Sequence, residues 1–350
     1  MMPLLKVELG RLFSRRLIRV IAIVALMGFL AIDGILAAKS NTDVAAAHIR
    51  ADVISQSQYQ SCLAQVGANK RGGLTKADCD YQLPASELKN CLAAMSRQGK
   101  VTGPGRITKE QCVRNSNPYF QDPRFHFADH AADLLSSIAF IFMLLGLLIG
   151  SSFIGAEWQS GTFASLLTWE PRRQRVLAAK LAAAVIGIEI LAVPLTGVLV
   201  GGAVIAANFR GTMDGTTAHL MAQLGIMAAR IFGLIALFTL IGAALASFTR
   251  HTVAAVAIVG GYLVVGELVG RILSEWWRNH ALTAQLTAVI RGRFVYYVQP
   301  PGGVGSSFTG GPQWNGEHFL HAGSAAIIIG LLTFVLVAIA SFTLRSRDVI

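Results

Sequence analysis

The sequence predicts an all-α integral membrane protein with six spanning helices, and three observations carry that prediction. Of 350 residues, 53% are hydrophobic and only 14% charged, where about 25% charged is usual for a soluble domain. The charge is unevenly placed: residues 40–130 read as an ordinary polar domain, while most of the remainder is Ala, Leu, Ile, Val and Gly in long runs. Several of those runs reach about 20 residues, the length needed to cross a hydrocarbon layer about 30 Å thick. The net charge of +11 also suits a nucleic-acid binder. Many of the Lys and Arg residues flank apolar runs, however, which favours a lipid membrane and no nucleic-acid partner.

The predicted spans are 17–38, 131–155, 178–206, 219–247, 252–272 and 322–344. The third and fourth are long enough to tilt or to extend past the hydrocarbon. The first resembles a cleavable leader, with Arg15, Arg16 and Arg19 as its basic region. Its apolar stretch exceeds the usual 7–15 residues, though, and Ile35-Leu36-Ala37-Ala38 holds no A-x-A site, so a retained anchor is expected. Ahead of it, within residues 1–16, Leu4, Leu5, Val7, Leu9, Leu12 and Phe13 alternate with Lys6, Glu8, Arg11, Arg15 and Arg16. This pattern suits a helix lying in the cytoplasmic interface; a plain basic anchor is the alternative.

Orientation follows from basic residues near the short loops. With the N-terminus inside, the inner side holds twelve: Lys6, Arg11, Arg15, Arg16, Arg19, Arg172, Arg173, Arg175, Lys180, Arg250, Arg345 and Arg347. The outer short segments hold five: Arg210, Arg271, Arg278, Arg291 and Arg293. Both termini of a cell-membrane protein are therefore expected in the cytoplasm, with the polar segment 39–130 outside. The cysteines agree, since Cys62, Cys79, Cys91 and Cys112 all fall in that segment, as two disulfides in an oxidising compartment would. Zinc is the rival reading, but it favours tight C-x₂₋₄-C pairs, and these gaps are far wider.

The polar segment repeats itself. Cys62-Leu63-Ala64 leads to Leu74-Thr75-Lys76-Ala77-Asp78-Cys79, and Cys91-Leu92-Ala93 leads to Ile107-Thr108-Lys109-Glu110-Gln111-Cys112. Thr75 with Asp78, and Thr108 with Gln111, have the spacing of an N-cap and its third helical residue. Each unit then reads as helix, loop and capped helix, stapled by Cys62–Cys79 and Cys91–Cys112, the preferred one of three possible connectivities. His126, His130 and Asp133 follow at helical spacing. They form a weak metal candidate, against the plainer reading of polar residues at a membrane boundary.

Ionisable groups within spans are costly and mark functional candidates. Asp33, Glu189, Arg230 and Glu267 stand out. At ~1.5 Å per residue, Asp33, Arg230 and Glu267 lie roughly 24, 25 and 22 Å from the inner ends of their spans, and Glu189 about 15 Å. The first three share a depth, so Arg230 is expected to pair with Glu267 or Asp33. Simple helix pairing and a polar gate on a transport path both remain open. Pro194 is positioned to kink the helix that carries Glu189. Residues 273–321 form the last outer connection. There Trp276, Trp277, Tyr296 and Tyr297 suit an interface belt, and 281–291 reads as a short interfacial or re-entrant helix.

Several signatures are missing. No G-x-x-x-x-G-K-[ST] phosphate loop occurs; Pro300-Pro301-Gly302-Gly303-Val304-Gly305 lacks the lysine and reads as a loop. Neither H-E-x-x-H nor G-x-S-x-G occurs, which removes the usual support for a membrane hydrolase.

The inner connection, residues 156–177, is the most informative stretch. Glu157, Gly161-Thr162, Leu166-Leu167, Pro171, the cluster Arg172-Arg173-Gln174-Arg175 and Lys180 follow in order. Physically this is a short helix at the inner face, a break and a basic cluster. In Glu157, Gly161-Thr162, Leu166-Leu167, Arg172 or Arg175, and Lys180, the sequence resembles permease subunits of ABC-2 type transporters. The ending Leu344-Arg345-Ser346-Arg347-Asp348-Val349-Ile350 resembles the family's basic-basic-Asp terminus. The long cysteine-bearing connection departs from smaller members, in which the first outer connection is short.

The resemblance implies a non-enzymatic transport subunit that binds no cofactor itself. It implies separate ABC ATPase subunits that carry ATP and Mg, and a second permease copy or a related permease. It also implies that Glu157, Gly161, Thr162, Arg172, Arg173, Arg175 and Lys180 couple the spans to the ATPase, and that a substrate is exported; an amphiphile is expected, with amphiphilic drug, peptide, lipid and glycan all open. A basic cluster that only sets topology is the plainer alternative for the arginines. An ion- or proton-coupled secondary transporter, with Asp33, Glu189 and Glu267 as a relay, is one rival. A non-transporting membrane sensor with an external receptor domain is the other.

Overall fold

Lipid offers the backbone no hydrogen-bond partners, so a chain of this composition crosses it as helices that satisfy their own N–H and C=O groups. The computed structural model describes residues 2–40, 43–68, 79, 124–162, 172–273, 277, 280–297 and 317–346. Within them lie six helices long and apolar enough to span: Ile18–Lys39, Phe127–Gln159, Gln174–Arg210, Ala218–Thr249, Thr252–Val269 and Ala322–Arg345. The protein is multi-pass. The second and third spanning helices run past the predicted span ends by several residues, because the helix continues beyond the apolar stretch.

The helices are α1 (Met2–Ser14), α2 (Arg16–Lys39), α3 (Val44–Ala68), α4 (Phe127–Gln159), α5 (Arg173–Arg210), α6 (Ala218–Thr249) and α7 (Thr252–Gly261). A π-helical segment (Tyr262–Val269) and α8 (Gly270–Leu273) continue α7; α9 (Leu282–Arg291) and α10 (Ala322–Ser346) follow among the described residues. One two-stranded antiparallel sheet joins the helices: β1 (Arg293–Tyr297) pairs with β2 (Glu317–His321), with Val295 opposite Phe319. Aromatic and β-branched residues in β1 suit a pleated ribbon better than a helix.

The chain divides into two compact units. The first comprises Met1–Ile32, Ala128–Gly202 and Gly215–Ile350. Its most buried spanning helix is α4, with Phe142, Met143, Ile149, Phe153 and Ile154 almost wholly enclosed, whereas α2 and α7 expose most of their apolar side chains. Helix α10 packs on α6, and α9 packs on both.

Between helices in lipid there is little hydrophobic drive, so close approach through small residues has to hold the contact. Gly146 and Gly150 of α4 provide it. A Cβ at Gly146 would lie 2.6 Å from Thr239 Oγ1, and one at Gly150 would collide with the Thr239 carbonyl oxygen. From the other side, a Cβ at Gly242 would strike the Leu147 carbonyl. This small-xxx-small pair was readable in the sequence and was not singled out there. At its start, α6 is capped by Thr217 Oγ1, which accepts from Leu220 N at 3.2 Å. At its end Arg250 adopts the left-handed conformation (φ 59°) and turns the chain into α7.

The second unit comprises Asp33–Phe127 and Ala203–Asp214. Ser40 Oγ donates to the Arg210 carbonyl and accepts from Phe125 N at 3.0 Å. Phe125 O accepts from Thr212 N at 2.9 Å, and Phe127 N donates to Thr212 O at 3.3 Å. Helix α3 carries Cys62, which forms a disulfide with buried Cys79 across a Cα–Cα distance of 5.8 Å. The expected Cys91–Cys112 bridge, the repeat's capping pairs Thr75/Asp78 and Thr108/Gln111, Trp276, and the terminal Arg347-Asp348 lie outside the described residues.

Replacing Gly150 by Val forces α4 away from α6. Overpacking of this kind costs about 1–3 kcal/mol, so thermal unfolding in detergent is expected to fall by several degrees. Gly225→Ala, at a position where a Cβ meets nothing within 4 Å, is expected to be neutral or to stabilise by up to about 1 kcal/mol.

Candidate functional site

The motif residues converge on one end of the first unit. Helix α4 ends at Gln159, and the residues after it stop the helix. Ser160 N and Gly161 N donate to the Ala156 and Trp158 carbonyls at 3.0 and 3.3 Å, and Gly161 takes φ 70°, which a side chain would disfavour. Ser160 and Thr162 hydroxyls lie 2.9 Å apart, and each donates to the Glu157 carbonyl at 3.4 Å. Gly161-Thr162 is therefore a helix terminator that fixes where the connecting loop leaves α4.

Behind that terminator lies a buried charge cluster. Lys180, on the first turns of α5, has no solvent exposure. Its Nζ lies 3.0 Å from Glu8 Oε2 and 2.5 Å from Glu157 Oε2. The other Glu157 oxygen, Oε1, accepts from Arg15 Nη2 at 3.3 Å, and the other Glu8 oxygen meets Arg11 Nη1 at 3.5 Å. Arg15 also donates to the Ser152 and Phe153 carbonyls at 3.0 and 3.3 Å. Arg15 and Lys180 both approach the Phe153 ring, at 5.0 and 5.3 Å from its centroid. Burial pulls the Arg15 guanidinium below its ordinary value while Glu157 and Glu8 oppose that shift, and arginine remains charged. One turn beyond Glu8, Leu12 is fully buried against Gly187 of α5, where a Cβ would lie 2.8 Å from Leu12 Cδ2.

This joint ties α1, the α1–α2 junction at Arg15, α4 and α5 together. A buried ion costs several kcal/mol to desolvate, and the cost is recovered only where opposite charges and hydrogen bonds surround it. Lys180 and Glu157, which the resemblance counts among the coupling residues, are thus enclosed, and their charges are taken up within the chain. Glu8 is the difference from the interfacial-helix reading, where it belongs to a solvated face. Its signal was nonetheless present, as the single acidic residue among residues 1–32.

The arginines divide differently. Arg172 and Arg175 are exposed at the start of α5, where the positive end of the helix dipole makes cations unfavourable. Helix stability therefore does not explain them. Arg173 begins α5, and its side chain lies outside the described residues, as do residues 163–171. Nearby, Arg250 stacks over Trp158 at 4.7 Å, and Gln159 Nε2 lies 3.4 Å from His251 Nδ1.

A second polar group lies in the first unit. The sequence expects Arg230 to pair with Glu267 or Asp33. The structure instead gives Glu267 to Thr283, whose N and Oγ1 donate to its two oxygens at 2.9 and 2.7 Å. The carboxylate thereby caps the N-terminus of α9, whose own N-cap residue Ala281 makes no side-chain bond. Trp277 Nε1 donates to the Gly266 carbonyl in the same π-helical segment at 2.6 Å, and Arg230 lies beside Gly292 at the far end of α9. Equal depth in two spans did not decide the pairing, because a third element supplied closer donors.

Asp33 Oδ1 and Glu189 Oε1 are buried without a hydrogen-bond partner among the described residues. His126 is buried beside Thr212, His130 is exposed, and Asp133 pairs with Arg291 at 2.6 Å. No group of three or more His, Cys, Asp or Glu placed to hold a metal ion occurs among the described residues.

Comparison with known families now adds to this geometry. The family described as ABC-2 family transporter protein matches residues 3–349. The chain belongs to that family. It is accordingly an ABC-2 membrane component of a transport system. No curated protein and no solved structure is significantly similar to it.

Lys180→Met removes the cation that two buried carboxylates share, leaving Arg11 beside Glu8 and Arg15 beside Glu157, and removing one partner of a buried pair costs about 3–5 kcal/mol. The double variant Lys180→Met with Glu8→Gln is expected to recover part of the lost thermal stability, measured by unfolding in detergent. Strict additivity of the two single effects would rule out the direct coupling.

Proposed function

We propose that this chain is the membrane-spanning permease subunit of an ATP-driven ABC-2 type exporter, with both termini in the cytoplasm. It works with separate ABC ATPase subunits, which carry ATP and Mg, and with a second permease copy or a related permease. Its substrate is an amphiphile taken from the cytoplasm or the inner leaflet. The observation that carries this reading is the buried Glu8–Lys180–Glu157 joint, placed directly behind the helix stop at Gly161-Thr162 in a chain of this family.

Exposed Arg172 and Arg175 offer positive charge at the loop, complementary to an acidic groove on a partner. A push there acts on α5. Because Lys180 holds Glu8 and Glu157, α1 and α4 move with it. In this reading the arginines dock the ATPase, Gly161 and Thr162 set the loop's exit, and Glu157 and Lys180 transmit motion from behind the contact. Arg173 belongs to the same basic cluster by its position.

The test is affinity purification of the intact protein from its native membrane in mild detergent, with ATPase activity assayed. A Walker-type ATPase is expected to co-purify with the wild type and to be lost from Arg172→Glu/Arg175→Glu at unchanged thermal stability. Ion-driven transport by a preparation free of any ATPase would overturn the reading in favour of a secondary transporter.

A further inference from the structure

The joint and the α9 cap account for four buried carboxylate or ammonium groups, and leave Glu189. It lies nine residues beyond Lys180 on α5, about 14 Å farther along the axis. No residue within a turn of it is charged. Asp33 has an escape, because it sits six residues from the end of α2 and a side chain there can snorkel toward the polar boundary. Glu189 is twenty-one residues from the Arg210 end and has none.

Its surroundings on the helix are informative. One Glu189 oxygen, Oε1, is buried without a hydrogen-bond partner among the described residues, while the residue as a whole is partly open. It borders a stripe of exposed Ile186, Ile190, Val193 and Pro194, and a Cβ at Gly197 would meet nothing within 4 Å. Pro194 has no N–H to give the Ile190 carbonyl four residues before it. A carboxylate and a backbone carbonyl deprived of its helical donor therefore occupy successive residues of α5 beside an apolar, exposed stripe. Both are acceptors. A carboxylate exposed to lipid at this depth would cost about 3 kcal/mol, so the surface calls for a positively charged occupant with an apolar body.

We propose that Glu189 is the recognition carboxylate for a cationic amphiphile that lies along the Ile186–Gly197 stripe of α5; this rests on the transporter reading above and narrows its substrate to cations. The charge is met by Glu189, and the apolar remainder lies on Ile186, Ile190 and Val193.

The experiment is equilibrium binding to the full chain in nanodiscs of zwitterionic lipid, with two probes of matched shape and opposite charge, tetraphenylphosphonium and tetraphenylborate. Saturable binding of the cation and not of the anion is expected. Glu189→Gln is expected to weaken cation binding at least tenfold, Glu189→Asp to retain most of it, and Asp33→Asn to change it less than twofold, all at unchanged thermal stability. Ile190→Trp, which fills the stripe and keeps the charge, is also expected to weaken it.

Equal binding of cation and anion, or an unchanged affinity in Glu189→Gln, would overturn the proposal. So would a Glu189→Gln protein that keeps its affinity but changes from dimer to monomer by native mass spectrometry, since Glu189 would then be a subunit contact. Glu189-dependent cation binding by a protein with no ATPase partner would remove the exporter reading alone. ATPase co-purification without that binding would remove this inference alone.

Discussion

An ammonium group with no access to water cannot be left without anions, and Lys180 is such a group. That constraint organises one end of the first unit. Glu8 must come from α1, Glu157 from the last turns of α4, and Lys180 from the first turns of α5, so three helices meet at one point. Arg15 closes the cluster and binds α4 carbonyls as well. Separating any one segment would strand a charge in a low-dielectric setting. Burying these charges together therefore opposes separation of the three segments.

Helix α4 extends that property through the unit. Its Glu157 end belongs to the joint, and its middle is held to α6 by backbone contact at Gly146 and Gly150. Such contact tolerates little sliding, since the glycine surface has no side chain to readjust. Helix α6 in turn packs on α10 and α9. At α9 the logic of the joint recurs in a milder form: Glu267 supplies the acceptor that the N-terminus of α9 lacks. Helices α2 and α7 differ, since their apolar side chains are largely exposed, a surface suited to lipid or to another copy of the chain.

The spans and the connecting-loop motif were legible because each is a local property. Length and hydropathy mark a span one residue at a time, and Glu157, Gly161-Thr162 and Lys180 follow one another within 24 residues. Partners were less legible. Depth along a helix suggested Arg230 for Glu267, but depth is one coordinate out of three, and Thr283 on α9 held the other two. Glu8 looked like one more polar residue in an amphipathic alternation, because a residue's burial depends on what packs over it.

The sequence by itself determined that the protein is a multi-pass membrane protein, with six helices long and apolar enough to span among the described residues, since length and hydropathy follow from the chemistry of neighbouring residues. The tertiary structure alone decided which charges neutralise one another, which glycines touch a foreign backbone, and that Glu189 retains a buried oxygen with no partner among the described residues. Those outcomes depend on helix rotation and on the approach of one helix to another, where a shift of a few ångströms turns a buried pair into a stranded charge.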